Sequence, residues 1–533
     1  MNRRDFLLSL AATPFLMNCS GEKKNFSGQL LGPNFKAGHQ LRGGNFPQFS
    51  QTKHTKIAIV GGGVSGLSAG WFLQKQGVTD YKIFELESEV GGNARSGKNH
   101  ISAYPWGAHY LPIPNTEAYL LKQFLSECGA ITANADTEKP SYNERFLCFS
   151  PDERLFINGL WQEGLVPNNG LTHAEKLEIQ TFEQTMQGFS LAIGNDGKPA
   201  FTIPLSTSSQ DPQYTQLDKI SMAAYLHTQG WHSKPLHWYA NYACRDDYGM
   251  HHAQISAWAG IHYFAARRGM AANAEMGQEL TWTQGNAWLT SQLAQPQKQA
   301  ILTQNLVHQI NIERKKTTVD VLDIATQQTT RWIADFVIYA SPLHTLPFVL
   351  RNQHYLIEAA KTVQHAPWLV ANLTIKQAEQ LNANAPLAWD NVIYDSNALG
   401  YVNANHQDVQ RYHDQSVITY YQSFGELNNQ QGRTLLQEES WGYFSNAIVK
   451  DLQKAHPEIQ QQIENIDIWR WGHAMTYPKV GFLSNKERLL LNQSHDRLQI
   501  AHTDAAGISI FEEAFEQGVH SAKVVISKSL KTN

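Results

Sequence analysis

One stretch of the chain restricts its fold more than any other. Lys56 to Val60 reads KIAIV, and GGGVSGLSAG follows directly. The first run is apolar and β-branched, the composition of a strand buried on both faces of a parallel sheet. Gly61, Gly63 and Gly66 then fall at G-x-G-x-x-G spacing. In that arrangement the first glycine permits a tight turn and the second lets the backbone approach a pyrophosphate. The third lets the following helix pack close to the strand. The spacing predicts a helix from Val64 to about Gln76, with its N-terminal amides aimed at phosphate. A second strand, YKIF, leads into Glu85, 24 residues after Gly61. An acid there accepts hydrogen bonds from ribose hydroxyls and disfavours a 2′-phosphate. Strand, turn, helix, strand and acid in this order point to a dinucleotide site. Gly66 to Gly70 also matches G-x-S-x-G, the nucleophile elbow of hydrolases. Ser68 falls inside the predicted helix, so it reads as a small packing residue.

The 533 residues exceed what one hydrophobic core usually supports, so at least two domains are expected. A net charge of -4 gives no basic excess for nucleic acid. The four cysteines, Cys19, Cys128, Cys148 and Cys244, include no CxxC pair, which argues against a zinc cluster or a dithiol redox centre.

Residues 1–24 read as an address. Arg3 and Arg4 precede an apolar stretch from Phe6 to Met17. That stretch is shorter than the roughly 20 residues a membrane-spanning helix needs. The paired arginines followed by Asp5-Phe6-Leu7 resemble a twin-arginine signal. It implies the twin-arginine translocase as a partner and a periplasmic or exported destination. A general secretory signal with two incidental arginines is the alternative. Leu16 to Cys19 also resembles a lipoprotein box, which leaves a lipid anchor on Cys19 open. Residues 25–52, rich in Gly, Asn, Gln and Lys, read as a linker.

Further blocks carry a family resemblance. Gly91-Gly92 with Arg95 close behind, in LESEVGGNARSG, resembles the second glycine pair of the flavin amine oxidase superfamily. That superfamily includes phytoene desaturases and protoporphyrinogen oxidase. The usual arginine directly follows the glycines; here Asn93 stands there. YPWGAHYLP resembles the stretch beside the flavin, with Trp106, Gly107, Ala108 and His109. QGNAWLTSQL resembles the helix before the third strand, and Val307 takes the place whose backbone meets the adenine. Residues 498–522 resemble the C-terminal flavin block. The resemblance assigns Asp504 to the ribityl-phosphate region and starts a helix under the flavin near Phe511 and Glu512. That helix dipole would favour negative charge on the reduced ring. Glu513 stands where the family has glycine.

The resemblance implies an α/β fold with FAD as cofactor. A discontinuous Rossmann-like FAD-binding domain is expected from residues 53–110, 281–345 and 466–533. Residues 111–280 and 346–465 are expected to form an α+β substrate domain. It further implies an FAD-dependent oxidoreductase that removes a hydride from a small molecule, either an amine, polyamines included, or a desaturase-like or porphyrinogen-like donor. A non-catalytic flavin-binding protein is the third reading. Many relatives carry a lysine near the flavin; the nearest here is Lys361, upstream of Pro367 and Trp368, so that lysine is expected to be missing. No cysteine stands in IWRWGHAMTYP, so the flavin is expected to be non-covalent. Trp471, His473 and Tyr477 from that segment are the candidates for the catalytic, substrate-facing wall.

Arg245-Asp246-Asp247-Tyr248 leaves two readings, an ammonium site or an ion pair with Arg245. His251, His252 and His262 lack a carboxylate or cysteine at ligand spacing, so no metal site is expected.

Overall fold

The computed structural model describes residues 26–376, 385–408 and 414–532. The signal segment and Cys19 lie outside these residues. No described helix is long and apolar enough to cross a membrane.

Among the described residues the strands form two large sheets. The first is built on Phe49–Val60, whose last residues, Ile57 to Val60, are buried. It pairs in parallel with Tyr81–Phe84 on one side and Thr329–Tyr339 on the other. Leu498–Ile500 adds to Thr329–Tyr339, also in parallel. A meander of Asn305–Ile312, Thr317–Asp323 and Thr329–Tyr339 completes this sheet. Three separated chain segments therefore meet in one Rossmann-like sheet.

The helix Val64–Lys75 covers that sheet and is itself covered by the C-terminal helix Phe511–Thr532. The two helices touch through small residues. Ser68 is fully buried and its hydroxyl donates to the carbonyls of Ser65 and Phe515, both at 3.1 Å. A Cβ on Gly518 would lie 2.1 Å from the Ser65 carbonyl oxygen. Ser68 is thus a packing residue inside a helix.

The second sheet is mainly antiparallel. His365–Lys376 sits between Gln415–Ser423 and Ile463–Thr476. Asp390–Ile393 carries it on to Glu153–Ile157. Helices His173–Leu191, Lys234–Tyr248 and Ala257–Ala265 pack together beside it. This is the α+β domain that accompanies the Rossmann-like one.

Residues 26–43 are not a linker. Leu30–Leu31 joins the second sheet in parallel with Ile468 and Trp469. The helix Phe35–Gly43 follows, capped by the Asn34 side chain and ended by Gly44 at φ 71°. Phe26, Ala37 and Leu41 are buried. Composition misled here because a few apolar anchors among polar residues are enough to fix a short strand and helix.

Candidate active site

A cavity of about 740 Å³ opens where the two sheets approach one another. Its centre is the glycine turn. Gly61 has φ 106°, and a Cβ on Gly66 would lie 1.9 Å from the Gly61 carbonyl oxygen. Both positions therefore require glycine. Gly63 is different. It has φ -76°, and a Cβ there would meet nothing closer than the Gly92 Cα at 3.8 Å. Its open side faces the cavity. Gly63 also caps the helix with no side-chain hydrogen bond, so the first amides of the turn remain available to an anion.

Glu85 stands next to this turn. Its carboxylate accepts from the Gly62 amide at 2.7 Å and the Glu87 amide at 2.9 Å. Burial raises its pKa, against those two bonds. Asn305 donates its amide to the Glu85 carbonyl, which brings Val307 to the same part of the wall. Uncapped amides, an open glycine face and an adjacent acid together fit a bound dinucleotide.

The Gly91-Gly92 turn is tied to this cradle by the Gly91 amide, which donates to the Gly62 carbonyl at 2.9 Å. Arg95 lines the cavity, but part of its charge is already engaged. It pairs with Glu87 at 3.2 Å and donates to the Glu89 carbonyl. Nearby, the Ala108 amide donates to the Asn93 carbonyl, and the Trp471 indole donates to the Trp106 carbonyl at 2.6 Å. Trp471, His473 and Phe511 line the wall beyond. Phe35, His39 and Arg42 of the N-terminal helix complete it, with Arg433 and Arg470.

Several residues selected from the sequence lie off this wall. Tyr477 is buried between Gln364 and Asn429, bonded at 2.8 and 3.0 Å. Asp504 is buried behind the wall, where its carboxylate accepts from the Leu343 amide and from His365; its own amide donates to His502 Nδ1, which lies 3.2 Å from the carboxylate. Burial opposes its charge, but His365 and His502 outweigh it and hold the carboxyl well below its usual range. Glu512 is buried at the start of the C-terminal helix, its pKa pushed up to about 7 by burial. Gly107 turns its carbonyl toward the Tyr421 hydroxyl at 3.0 Å.

His109 points the other way from Ala108. It lines a second, smaller cavity of about 100 Å³. Its ring stacks on Tyr421 at 4.6 Å, and burial pulls its pKa down to about 3. Glu153, Asp246, Glu279 and Asp390 face the same space, with Tyr242, Tyr263 and Trp389. Burial raises all four acids, and repulsion from neighbouring carboxylates adds to it: Glu153 and Asp246 to about 7, Glu279 to about 8, Asp390 well above its usual value. Adjacent residues, Ala108 and His109, thus line the large cavity and the small one.

The four acids make stability depend on pH. A carboxyl whose folded pKa is raised stabilises the fold below its unfolded pKa and loses that contribution as pH rises through the folded value. The melting temperature is expected to fall between about pH 5.5 and about pH 8.5. A thermal melt series across that range measures it. A flat profile would mean that the acids are screened.

A family model described as an NAD(P)-binding Rossmann-like domain matches residues 59–128. Tryptophan 2-monooxygenase of Allorhizobium ampelinum is 40% identical over 52 residues, 10% of this chain and 7% of that protein. A solved putrescine oxidase with putrescine bound matches with a TM-score of 0.64 at 14% identity, covering 89% of this chain and 100% of that one. Cyclohexylamine oxidase from Brevibacterium oxydans matches with a TM-score of 0.65 at 14% identity, over 89% of this chain and 99% of that one. A conjugated-linoleic-acid-producing fatty acid isomerase from P. acnes gives 0.58 at 15% identity, over 89% and 98%. The chain has the fold of these amine oxidases.

The fold leaves Lys361 far from any such role. It is exposed and paired with Glu358 at 2.7 Å. Among the described residues, no lysine and no cysteine lines the large cavity. Arg245 is not the partner of Asp246 or Asp247; it donates to the carbonyls of Ser396 and Asn397. Asp247 is held by Arg267 through two bonds of 2.6 and 2.8 Å. His262 is buried against Trp258 and bonded to the Thr202 carbonyl, while His251 and His252 contact one another.

Proposed function

We propose that this protein is an FAD-dependent oxidoreductase that oxidises amines, with polyamines as the favoured substrates. The adjacency of the two cavities across Trp106 to His109 supports this reading most. One offers a dinucleotide cradle; the other offers carboxyls and aromatic rings, the surroundings an ammonium group prefers. Gly61, Gly63, Gly91, Gly92, Glu85 and Val307 are the residues proposed to hold the cofactor. FAD, when bound, supplies the acceptor for a hydride from the carbon beside nitrogen.

The chain's own part is binding, proton removal and exclusion of water. An ammonium cannot lose a hydride readily until it is neutral. A carboxyl whose pKa lies near 7, such as Asp246 or Glu153, matches that task because it can accept the proton near neutral pH. A second carboxyl remains to hold a distal ammonium, which supports a polyamine over a monoamine. Trp471, anchored to the Trp106 carbonyl, forms the aromatic wall.

The purified protein, mixed anaerobically with a series of amines, tests this reading. Bound flavin is expected to bleach with diamines faster than with monoamines of equal length. Asp246→Asn is expected to slow bleaching by about a hundredfold or more, the loss typical of removing a general base. Bleaching by unsaturated or porphyrinogen-like donors alone would replace amine oxidation with the desaturase reading, which the lysine-free wall favours. Flavin that stays oxidised with every donor would leave a binding protein.

A further inference from the structure

Three histidines converge on the wall of the large cavity from three distant parts of the chain. His344 follows the turn after Thr329–Tyr339, His365 opens the strand His365–Lys376, and His473 lies in Ile463–Thr476. One nitrogen from each lies within 4.8 Å of the other two. The His344 and His473 rings stack at 3.9 Å, and His365 stands edge-on to both. Sequence spacing does not reveal this group, because its members meet only through the fold.

We propose that His344, His365 and His473 bind a divalent transition-metal ion, with Zn²⁺ the best match, and leave one position open to the cavity.

Two observations beyond proximity carry this. Nδ1 of His344 is buried without a hydrogen-bond partner. A buried ring nitrogen without a partner is destabilising unless something satisfies it. In addition, His365 gives Nε2 to the Asp504 carboxylate at 2.9 Å, so its ring is oriented and Nδ1 is left over. A carboxylate behind the imidazole is the arrangement that fixes metal-binding histidines.

Three imidazoles and one open position form a donor set that takes Zn²⁺. Ligands at about 2.1 Å in tetrahedral geometry sit about 3.4 Å apart, so the nitrogens must draw in by roughly an ångström, and the near-parallel His344 and His473 rings must rotate apart for both lone pairs to reach one ion. Arg42 and Arg433 line the same cavity. Their positive charge disfavours a bare dication and selects an anionic fourth ligand, such as hydroxide or a phosphate oxygen. The proposal does not depend on the amine reading, and it reassigns His473 from substrate wall to ligand.

The test loads the full purified chain with Zn²⁺ or Co²⁺, dialyses it, and counts metal per chain by elemental analysis. One ion per chain is expected. The Co²⁺ form is expected to show the intense visible bands of a four-coordinate site. His344→Ala and His473→Ala should each weaken Zn²⁺ binding at least tenfold and abolish those bands. His344→Gln serves as a milder variant should the alanine forms fail to fold. The row His227, His232, His237, His251 and His252 is the competing site, since its ring nitrogens approach to 3.0–3.2 Å. Metal retained in the His344 and His473 variants, or lost only in His252→Ala, overturns the proposal. So does a protein that holds no Zn²⁺, or a Co²⁺ spectrum of octahedral type.

Discussion

Gly63→Val is expected to yield a folded protein that no longer holds its dinucleotide. Position 63 has an ordinary φ of -76°, so a side chain introduces no backbone strain. The nearest atom to its Cβ, at 3.8 Å, is in ordinary van der Waals contact. The two added methyl groups instead project over the uncapped amides, into the space a phosphate must enter. A loss of roughly a hundredfold in affinity, about 2.8 kcal/mol, is the expected scale. The comparison with Gly66→Val makes the result diagnostic. There the Cβ drives into the Gly61 carbonyl at 1.9 Å, and the helix itself must move. Gly66→Val should therefore lower the melting temperature of the ligand-free protein, whereas Gly63→Val should not. With ligand present, Gly63→Val should lose only the stabilisation that binding adds. Absorbance of the purified variants and melts of their ligand-free forms separate the two. If Gly63→Val keeps its dinucleotide, the cradle is not where the dinucleotide binds.

This contrast also marks what was legible in the sequence. The glycine turn, its helix and Glu85 could be read because their chemistry is local. Each residue's role follows from neighbours a few positions away, and Ser68 could be set aside on the same grounds. The cavity walls could not be read this way. Glu153, Asp246, Glu279 and Asp390 come from three strands and a helix that only the tertiary fold brings together. The same holds for His344, His365 and His473, whose meeting depends on the register of His365 against Thr476. Asp504 was visible as an acid in the right block, but its partners were not. Two histidines claim it, and it stands behind the wall. The resemblance sets Arg95 beside the Gly91-Gly92 pair but says nothing of what holds its charge. Glu87, eight residues before it, competes for the same charge.

Arg267→Met is expected to be the most destabilising single change in the α+β domain at neutral pH. Among the described residues that line the second cavity, Arg267 is the only cation. Its guanidinium holds Asp247 through two short bonds, and Asp247 is itself buried. Asp246, beside Asp247, also feels that positive charge, as do Glu279 and the hydroxyls of Tyr110 and Tyr263. Methionine retains much of the volume and removes the charge, so the loss is electrostatic rather than a cavity. Leaving one partner of a buried pair alone typically costs about 3–5 kcal/mol. The pH dependence identifies the cause. Without Arg267, the folded pKa of Asp247 rises further above its unfolded value. The variant should then recover stability as pH falls toward the unfolded carboxylate range, about pH 4. Denaturant unfolding of both proteins across pH checks this. Arg267→Lys, which keeps a charge but loses the two-pronged geometry, should fall between them. A deficit in Arg267→Met that is equal at every pH would mean that lost packing, not the stranded carboxylate, sets its size.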